Sequence, residues 1–329
     1  MELLVRPFGQ VLSPQPDQTL LRALRAGEVP ISYSCEDGRC GLCRCRLLRG
    51  RVVETGRPPR QLFGCAGRYV LACQSTMAED SVIEIPDPRD VVIHPARRMR
   101  AKVLGIEPLT HNVRLLRLNP EGSLSYSPGQ FVEVELGRGL NRMYSMAGLA
   151  EDGELQFHVR IHPHGRASHV IGKTLKPGDT VRVRGPYGVS YLRQFHDAPI
   201  LCVSAGTGLA PLKSLLRGMI ELRMMNPVHV YVGFMSREEV YDLEALSGLL
   251  ARVPGLRSSH VMVASGRIER GLRRGLLTEA IESDLGKLRD WHAHVFGSPF
   301  AVDATVQMLR RNEIHEDRLH ADPFHSVGN

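Results

Sequence analysis

Cys35, Cys40 and Cys43 stand as C-x4-C-x2-C, and Cys73 follows thirty positions beyond Cys43. This is the plant-type spacing for a two-iron, two-sulfur cluster. Such a cluster needs four thiolates converging on two irons, so Cys35, Cys40, Cys43 and Cys73 are the candidate metal ligands. Gly38 and Gly41 let the intervening loop turn tightly, with its backbone N–H groups facing the sulfurs. A zinc site would ordinarily pair two short C-x2-C knuckles, whereas this chain offers one lone distal cysteine. Of the seven cysteines, six fall between Cys35 and Cys73, a crowding that favours metal ligation over disulfides in an intracellular chain. Cys45, on the strand leaving the loop, Cys65, and Cys202, inside an apolar strand, are expected not to be ligands.

Two further groups of residues suit nucleotide chemistry. Arg142-Met143-Tyr144-Ser145 occupies a strand, and Arg160, Gly165 and Ser168 follow at a strand end and a helix start. An arginine and a helix N-terminus can bind a pyrophosphate, a tyrosine can lie against a flavin ring, and a serine hydroxyl can bond the flavin N5 region. Taken alone, the same residues fit a buried tyrosine and a surface arginine equally well. Gly206, Thr207, Gly208 and Pro211 lie in Ala205-Gly206-Thr207-Gly208-Leu209-Ala210-Pro211, between a buried strand and a helix, where glycines let backbone approach a pyrophosphate. It is not the G-x-G-x-x-G fingerprint, and a purely structural turn is the competing reading. Gly297-Ser298-Pro299 makes a second sharp turn at the same sheet edge.

The elements that must hold these residues fall into three segments. At 329 residues the chain exceeds one ordinary core and predicts two or three domains. Residues 1–92 alternate short strands with one helix near Thr19–Ala26, ended by Gly27. A proline-rich stretch, Ile85-Pro86-Asp87-Pro88 to His94-Pro95, reads as a linker. Residues 93–194 carry alternating strands such as Phe131–Leu136 and Leu155–Arg160, the pattern of a small antiparallel barrel with a short helix near Ser168. Residues 195–329 switch to strand–helix alternation, which gives a parallel α/β sheet.

Composition, 43% apolar and 23% charged, is that of a globular protein without a membrane-length apolar run. Met1–Arg6 lacks the order of a secretory signal and predicts a first strand, so the expected setting is cytoplasmic, with no membrane association. The net charge of +7 comes from scattered arginines without an RNA-binding or helix-turn-helix signature, which argues against nucleic acid. It suits an acidic protein partner, because complementary fields speed encounter. Arg39, Arg44, Arg46, Arg49 and Arg51 cluster at the cysteine loop, with no acidic residue from 38 to 53.

Together these motifs resemble, from end to end, the ferredoxin–NAD(P)H reductase superfamily in its naphthalene dioxygenase reductase form. Ile31-Ser32-Tyr33-Ser34-Cys35, Gly38-Arg39-Cys40-Gly41 and Leu71-Ala72-Cys73-Gln74-Ser75 are similar to that family's cluster segments. Further on, Tyr144-Ser145-Met146-Ala147-Gly148, Tyr191-Leu192-Arg193 and Thr207-Gly208-Leu209-Ala210-Pro211 are similar to family sequence. The resemblance implies a β-grasp ferredoxin domain, an FAD-binding barrel and a nicotinamide domain serving an aromatic-ring dioxygenase. It also implies that Arg142, Tyr144 and Ser145 hold the flavin, with Ser145 and Tyr144 at the reacting ring. Arg160, Gly165 and Ser168 would border the pyrophosphate, and Gly206, Thr207, Gly208 and Pro211 the nicotinamide dinucleotide. The acceptor would be an acidic, Rieske-type ferredoxin.

The chain departs from the family in two places. Phe296-Gly297-Ser298-Pro299 stands where the superfamily has Cys-Gly-x-Pro, which puts Phe296 rather than a thiol near the nicotinamide. Met235 replaces an arginine that relatives carry after Tyr231-Val232-Gly233, while Arg267 could face the same ribose; NADH is expected, with NADPH use left open. Competing readings are a reductase feeding a monooxygenase directly and a redox sensor that does not turn over.

Overall fold

The computed structural model describes residues 1–55, 68–85, 88–266 and 271–325. Cys65 and Arg267 lie outside the described residues. The chain divides into two compact units, Met1–Ala96 with Gly185–Val189, and Arg97–Arg184 with Ser190–Asn329.

The first unit holds β1 (Leu3–Arg6), β2 (Gln10–Leu12), α1 (Leu20–Ala26), β3 (Arg44–Arg49), β4 (Val52–Glu54), β5 (Tyr69–Leu71), β6 (Ser75–Met77) and β7 (Ser81–Glu84). Its main sheet has the order β2-β1-β7-β3-β5, with β1 and β7 parallel and β3 antiparallel to both neighbours. This is a β-grasp sheet with α1 packed on it. The Thr19 hydroxyl accepts from Arg22 N at the helix start, which satisfies one of the orphan N–H groups. Leu20, Leu21 and Leu24 are buried with Val5, Cys45 and Ile83 in one core.

The second unit begins with β8 (Arg97–Pro108), β9 (Val113–Pro120), β10 (Phe131–Glu135), β11 (Asn141–Ser145), β12 (Leu155–Arg160), α2 (Arg166–His169) and β13 (Thr180–Tyr187). These strands form a sheet of order β11-β10-β13-β8-β9-β12. Its two ends approach where Ala147 N donates to Gln156 O at 2.9 Å. Alternating side chains such as Val132, Val134, Leu116, Leu118 and Phe157 fill the interior, as a nearly closed antiparallel barrel requires.

The same unit continues with β14 (Ile200–Ala205), α3 (Leu209–Glu221), β15 (Val228–Phe234), α4 (Leu243–Leu250), β16 (Leu256–Val263), β17 (Arg273–Arg274), α5 (Leu277–Asp284), β18 (His292–Gly297), α6 (Pro299–Arg311) and β19 (Leu319–Pro323). The sheet is parallel throughout, in the order β17-β16-β15-β14-β18-β19. Both faces are covered: Ile200 and Cys202 pack in a cluster with α3 and α4, Leu201 and Val203 in a cluster with α5 and α6. The chain starts in the middle at β14, winds one way to β17, then returns to β18. The gap between β14 and β18 is therefore a topological switch point, where open α/β sheets leave a crevice at the carboxyl ends of their strands.

Candidate functional sites

The cysteine loop gathers its thiols in two pairs. Cys35 Sγ and Cys40 Sγ are 3.2 Å apart, and Cys43 hydrogen-bonds to Cys73. Within each pair the hydrogen bond from its neighbour drives one thiol, Cys35 or Cys73, towards the thiolate. Among the described residues no three His, Cys, Asp or Glu side chains gather to hold a single metal ion. Two pairs suit two irons, each taking two thiolates. The loop also supplies N–H donors: Cys40 N to Cys35 Sγ at 3.3 Å and Gln74 Nε2 to Cys73 Sγ at 3.6 Å. Gly38 and Gly41 have φ of +83° and +72°, the left-handed region that glycine enters without strain. Cys45 and Cys202 are fully buried in apolar cores, and burial pushes each thiol up to about 12.

On β11, alternation puts Arg142 and Tyr144 on one face and Ser145 on the other. The Tyr144 ring lies 6.1 Å from Phe157 on β12, while Arg142 donates to the neighbouring Asn141 carbonyl. Ser145 is buried and its Oγ donates to Asp322 Oδ2 on β19 at 3.3 Å. Burial pushes the Asp322 carboxyl up to about 7, against the opposing pull of that hydrogen bond. Nothing in the Asp322 sequence context marked it; the contact exists only because β19 returns beside β18.

Gly165 precedes α2, and a Cβ there would stand 2.8 Å from Ser168 Oγ. Ser168 Oγ itself accepts from His162 N at 2.9 Å, so this turn closes on itself. Arg160, at the end of β12, forms a two-pronged ion pair with Glu239 at 2.9 and 3.1 Å. The Arg160 head reaches the Gly206 loop, where an added Cβ would sit 2.9 Å from its Nη2.

A cleft of about 510 Å³ opens at the carboxyl ends of β14, β15, β16 and β18. Arg160, Gly206, Thr207, Met235, Glu239 and Phe300 are among the residues lining it. Gly208, Pro211 and Phe296, expected at the dinucleotide, stand behind this lining. A Cβ on Gly208 would meet the Phe296 carbonyl oxygen at 2.4 Å, and one on Gly297 would meet the Ala205 carbonyl oxygen at 2.7 Å. The two turns thus pack backbone against backbone, which only glycine permits. Pro211 is buried in the first turn of α3, where its missing N–H costs nothing. The Phe296 ring is fully buried with Leu209, Leu212 and Val232, and Ser298, Pro299 and Phe300 form the wall at that strand end.

A two-iron thiol loop, a flavin-type barrel and a parallel sheet with a cleft at its switch point define an iron–sulfur flavoprotein oxidoreductase. Family models agree in order: a 2Fe-2S iron-sulfur cluster binding domain over residues 4–78, an oxidoreductase FAD-binding domain over 100–191 and an oxidoreductase NAD-binding domain over 202–307. The chain is 44% identical, over 100% of both chains, to the reductase component of naphthalene 1,2-dioxygenase/salicylate 5-hydroxylase systems of Ralstonia. It is 39% identical, again over 100% of both, to the naphthalene 1,2-dioxygenase system reductase component of Pseudomonas putida. The chain belongs to this family of ferredoxin–NAD(P)+ reductase components. Among solved structures it is similar to a cytochrome P450 reductase of Amycolatopsis, at TM-score 0.71 and 29% identity over 98% of each chain. The ferredoxin reductase of carbazole 1,9a-dioxygenase gives TM-score 0.66 and 26% identity, also over 98% of each. No helix among the described residues is long and apolar enough to cross a membrane.

Proposed function

We propose that this protein passes electrons from NADH, through FAD and a two-iron cluster, to an acidic Rieske-type ferredoxin that serves an aromatic-ring dioxygenase. The observation that carries this reading is the pairing of the thiol loop with the switch-point cleft in one chain whose full-length relatives are reductase components of naphthalene dioxygenase systems. Bound FAD supplies a ring that accepts hydride and gives up electrons singly, and the cluster supplies a one-electron outlet.

The chain's own residues bind and orient. Gly206 and Thr207 offer backbone to the dinucleotide phosphates at the start of α3. Arg160 adds a positive charge on the same wall, held in place by Glu239. Met235 puts an uncharged side chain where a 2'-phosphate would need a cation, which supports NADH. Tyr144 gives an aromatic face and Ser145 a hydroxyl for the flavin ring, with Asp322 behind the hydroxyl. Arg142, Gly165 and Ser168 hold the flavin's phosphate side. Cys35, Cys40, Cys43 and Cys73 hold the cluster. Three functional domains, residues 1–92, 93–194 and 195–329, and a cytoplasmic setting complete the reading; thiols kept for a cluster and a nicotinamide substrate both suit that compartment.

Steady-state reduction of candidate ferredoxins and oxygenases, with NADH and NADPH in parallel, tests the whole assignment. Rapid reduction of a Rieske-type ferredoxin by NADH is expected. Direct reduction of an oxygenase with no ferredoxin present would replace it with the monooxygenase-type reading.

A further inference from the structure

The fourth cysteine of the cluster motif sits on a short turn, Ala72–Gln74, between β5 and β6. The turn is fastened from two sides. Ser75 Oγ donates to Leu71 O at 2.8 Å. Thr55, just past β4, donates to Gln74 O from its backbone N at 2.8 Å and from its Oγ1 at 3.1 Å. The backbone of Gln74, the residue after the ligand, is therefore held, and its side chain starts from a fixed point.

That side chain turns back onto the ligand. Gln74 Nε2 lies 3.6 Å from Cys73 Sγ and 3.2 Å from Cys73 O, so its two hydrogens serve a sulfur and a carbonyl oxygen. The opposite amide orientation would set Oε1 against two acceptors with no hydrogen between them, which fixes the nitrogen on this side. The stem lies across Gly38, where an added Cβ would stand 3.0 Å from Gln74 Cγ and 3.2 Å from Cδ. Gly38 thus takes its φ of +83° and also leaves the seat that Gln74 fills. The Gly38 backbone hydrogen-bonds to Cys73 as well. The Cys73 sulfur therefore receives one donor from the three-cysteine loop and one from its own neighbour. A glutamine kept for solubility would retain its rotamer freedom in water; this one gives it up to reach a sulfur.

We propose that Gln74 raises the reduction potential of the cluster by holding an amide N–H on the Cys73 sulfur. The inference rests on the ligand set proposed above and adds to it a positioning residue that binds no iron. Reduction adds one electron to the cluster, and with it negative charge on the sulfurs. A donor already in place gains from that charge, because hydrogen bonds to charged acceptors are the stronger ones. Hydrogen bonding to the sulfurs is one of the terms that set such potentials. The amide therefore favours the reduced cluster and eases the arrival of an electron from the flavin. Being neutral, it does so without altering the charge that a docking partner meets, which separates its role from that of the arginines nearby.

The test is a redox titration of the iron-loaded holoenzyme, followed by electron paramagnetic resonance of the reduced cluster. Gln74→Leu, similar in length but without a donor, is expected to disfavour reduction about 10-fold, a fall of about 59 mV for a one-electron couple. Gln74→Glu keeps the shape and replaces the donor with a carboxylate, so its potential should fall further; it also serves if leucine displaces the cysteine loop. With glutamine labelled by nitrogen-15 at the side chain, pulsed resonance should show a nitrogen coupling that disappears in Gln74→Leu. A glutamine with a merely structural role would change neither reading. A wild-type potential in either variant at full iron content, or no coupling from labelled glutamine in the wild type, overturns the proposal. Failure of the ligand assignment shows separately, as full iron and sulfide counts in Cys73→Ser.

Discussion

Ser145 and Asp322 lie 177 positions apart in the chain, yet the serine hydroxyl donates to the aspartate carboxylate at 3.3 Å. The contact joins the barrel strand β11 to the last strand of the parallel sheet. It places a carboxyl that is nine-tenths buried beside the hydroxyl proposed to face the flavin.

That carboxyl makes stability depend on pH. Its folded-state value of about 7 lies above the ordinary 3.8, so the neutral form is favoured in the fold. Below about pH 4 there is no penalty; it grows as pH rises from there to 7 and is constant above, reaching at most about 4 kcal/mol. Asp322→Asn should therefore gain thermal stability over the wild type at pH 8 and little at pH 4.5. Equal differences at both pH values would show that Asp322 ionises as freely as an exposed carboxyl. Ser145→Ala should slow flavin reduction by NADH about 100-fold with FAD still bound, as read by stopped-flow absorbance.

The cluster assignment predicts that serine at Cys35, Cys40, Cys43 or Cys73 loses iron, while Cys45→Ser keeps it. Cys45 is fully buried beside Val5 and Ile83, so its loss should cost some stability and no iron. Iron and acid-labile sulfide counts on each purified variant decide the matter.

Much of this was legible because it is local. Spacing among four cysteines, period-two strands and the change to strand–helix alternation each depend on neighbours in sequence. The thiol loop and the Gly206–Thr207 turn were visible for that reason, as were all three folds. Asp322 and Glu239 were not, since their partners Ser145 and Arg160 come from the barrel and meet them only through tertiary packing. Phe296 was assigned from its motif position, but alternation on β18 turns its ring into the core and leaves the cleft wall to the residues after it.

Phe296→Cys should accordingly change stability more than nicotinamide affinity. Removing most of a fully buried aromatic ring from among Leu209, Leu212 and Val232 should cost about 2–4 kcal/mol, measured by denaturant unfolding. An altered KM for NADH at unchanged stability would return Phe296 to the site.

Gly208→Ala tests the close packing of the two turns. Its φ is unremarkable, so the whole penalty comes from a Cβ that would stand 2.4 Å from the Phe296 carbonyl oxygen. Backbone must shift, and the cleft floor with it; NADH affinity should fall along with thermal stability. Gly206→Ala should behave differently: its Cβ would meet the head of Arg160, which Glu239 holds, and it must also carry φ of +58°, a strain of about 1 kcal/mol.

The arginines of the cluster domain bear on the acceptor. Arg44 and Arg46 share a face of β3, as their spacing requires, but they are not equivalent. Arg46 is ion-paired with Glu84 on β7, and Arg39 with Asp37, so two of the five charges in the run are answered locally. Arg44 lies over the Tyr69 ring, which leaves its charge in place, and Arg49 and Arg51 are exposed. An acidic ferredoxin would therefore be steered mainly by Arg44, Arg49 and Arg51. Steering weakens as the Debye length falls from about 10 Å at 0.1 M salt to about 3 Å at 1 M. Arg44→Glu with Arg49→Glu should slow reduction of the native ferredoxin and flatten its salt dependence, with NADH oxidation by ferricyanide unchanged. Arg46→Glu alone would also set two carboxylates side by side at Glu84, so its effect would mix docking with stability. A native reaction indifferent to salt and to the Arg44/Arg49 reversal would put the docking surface elsewhere on the protein.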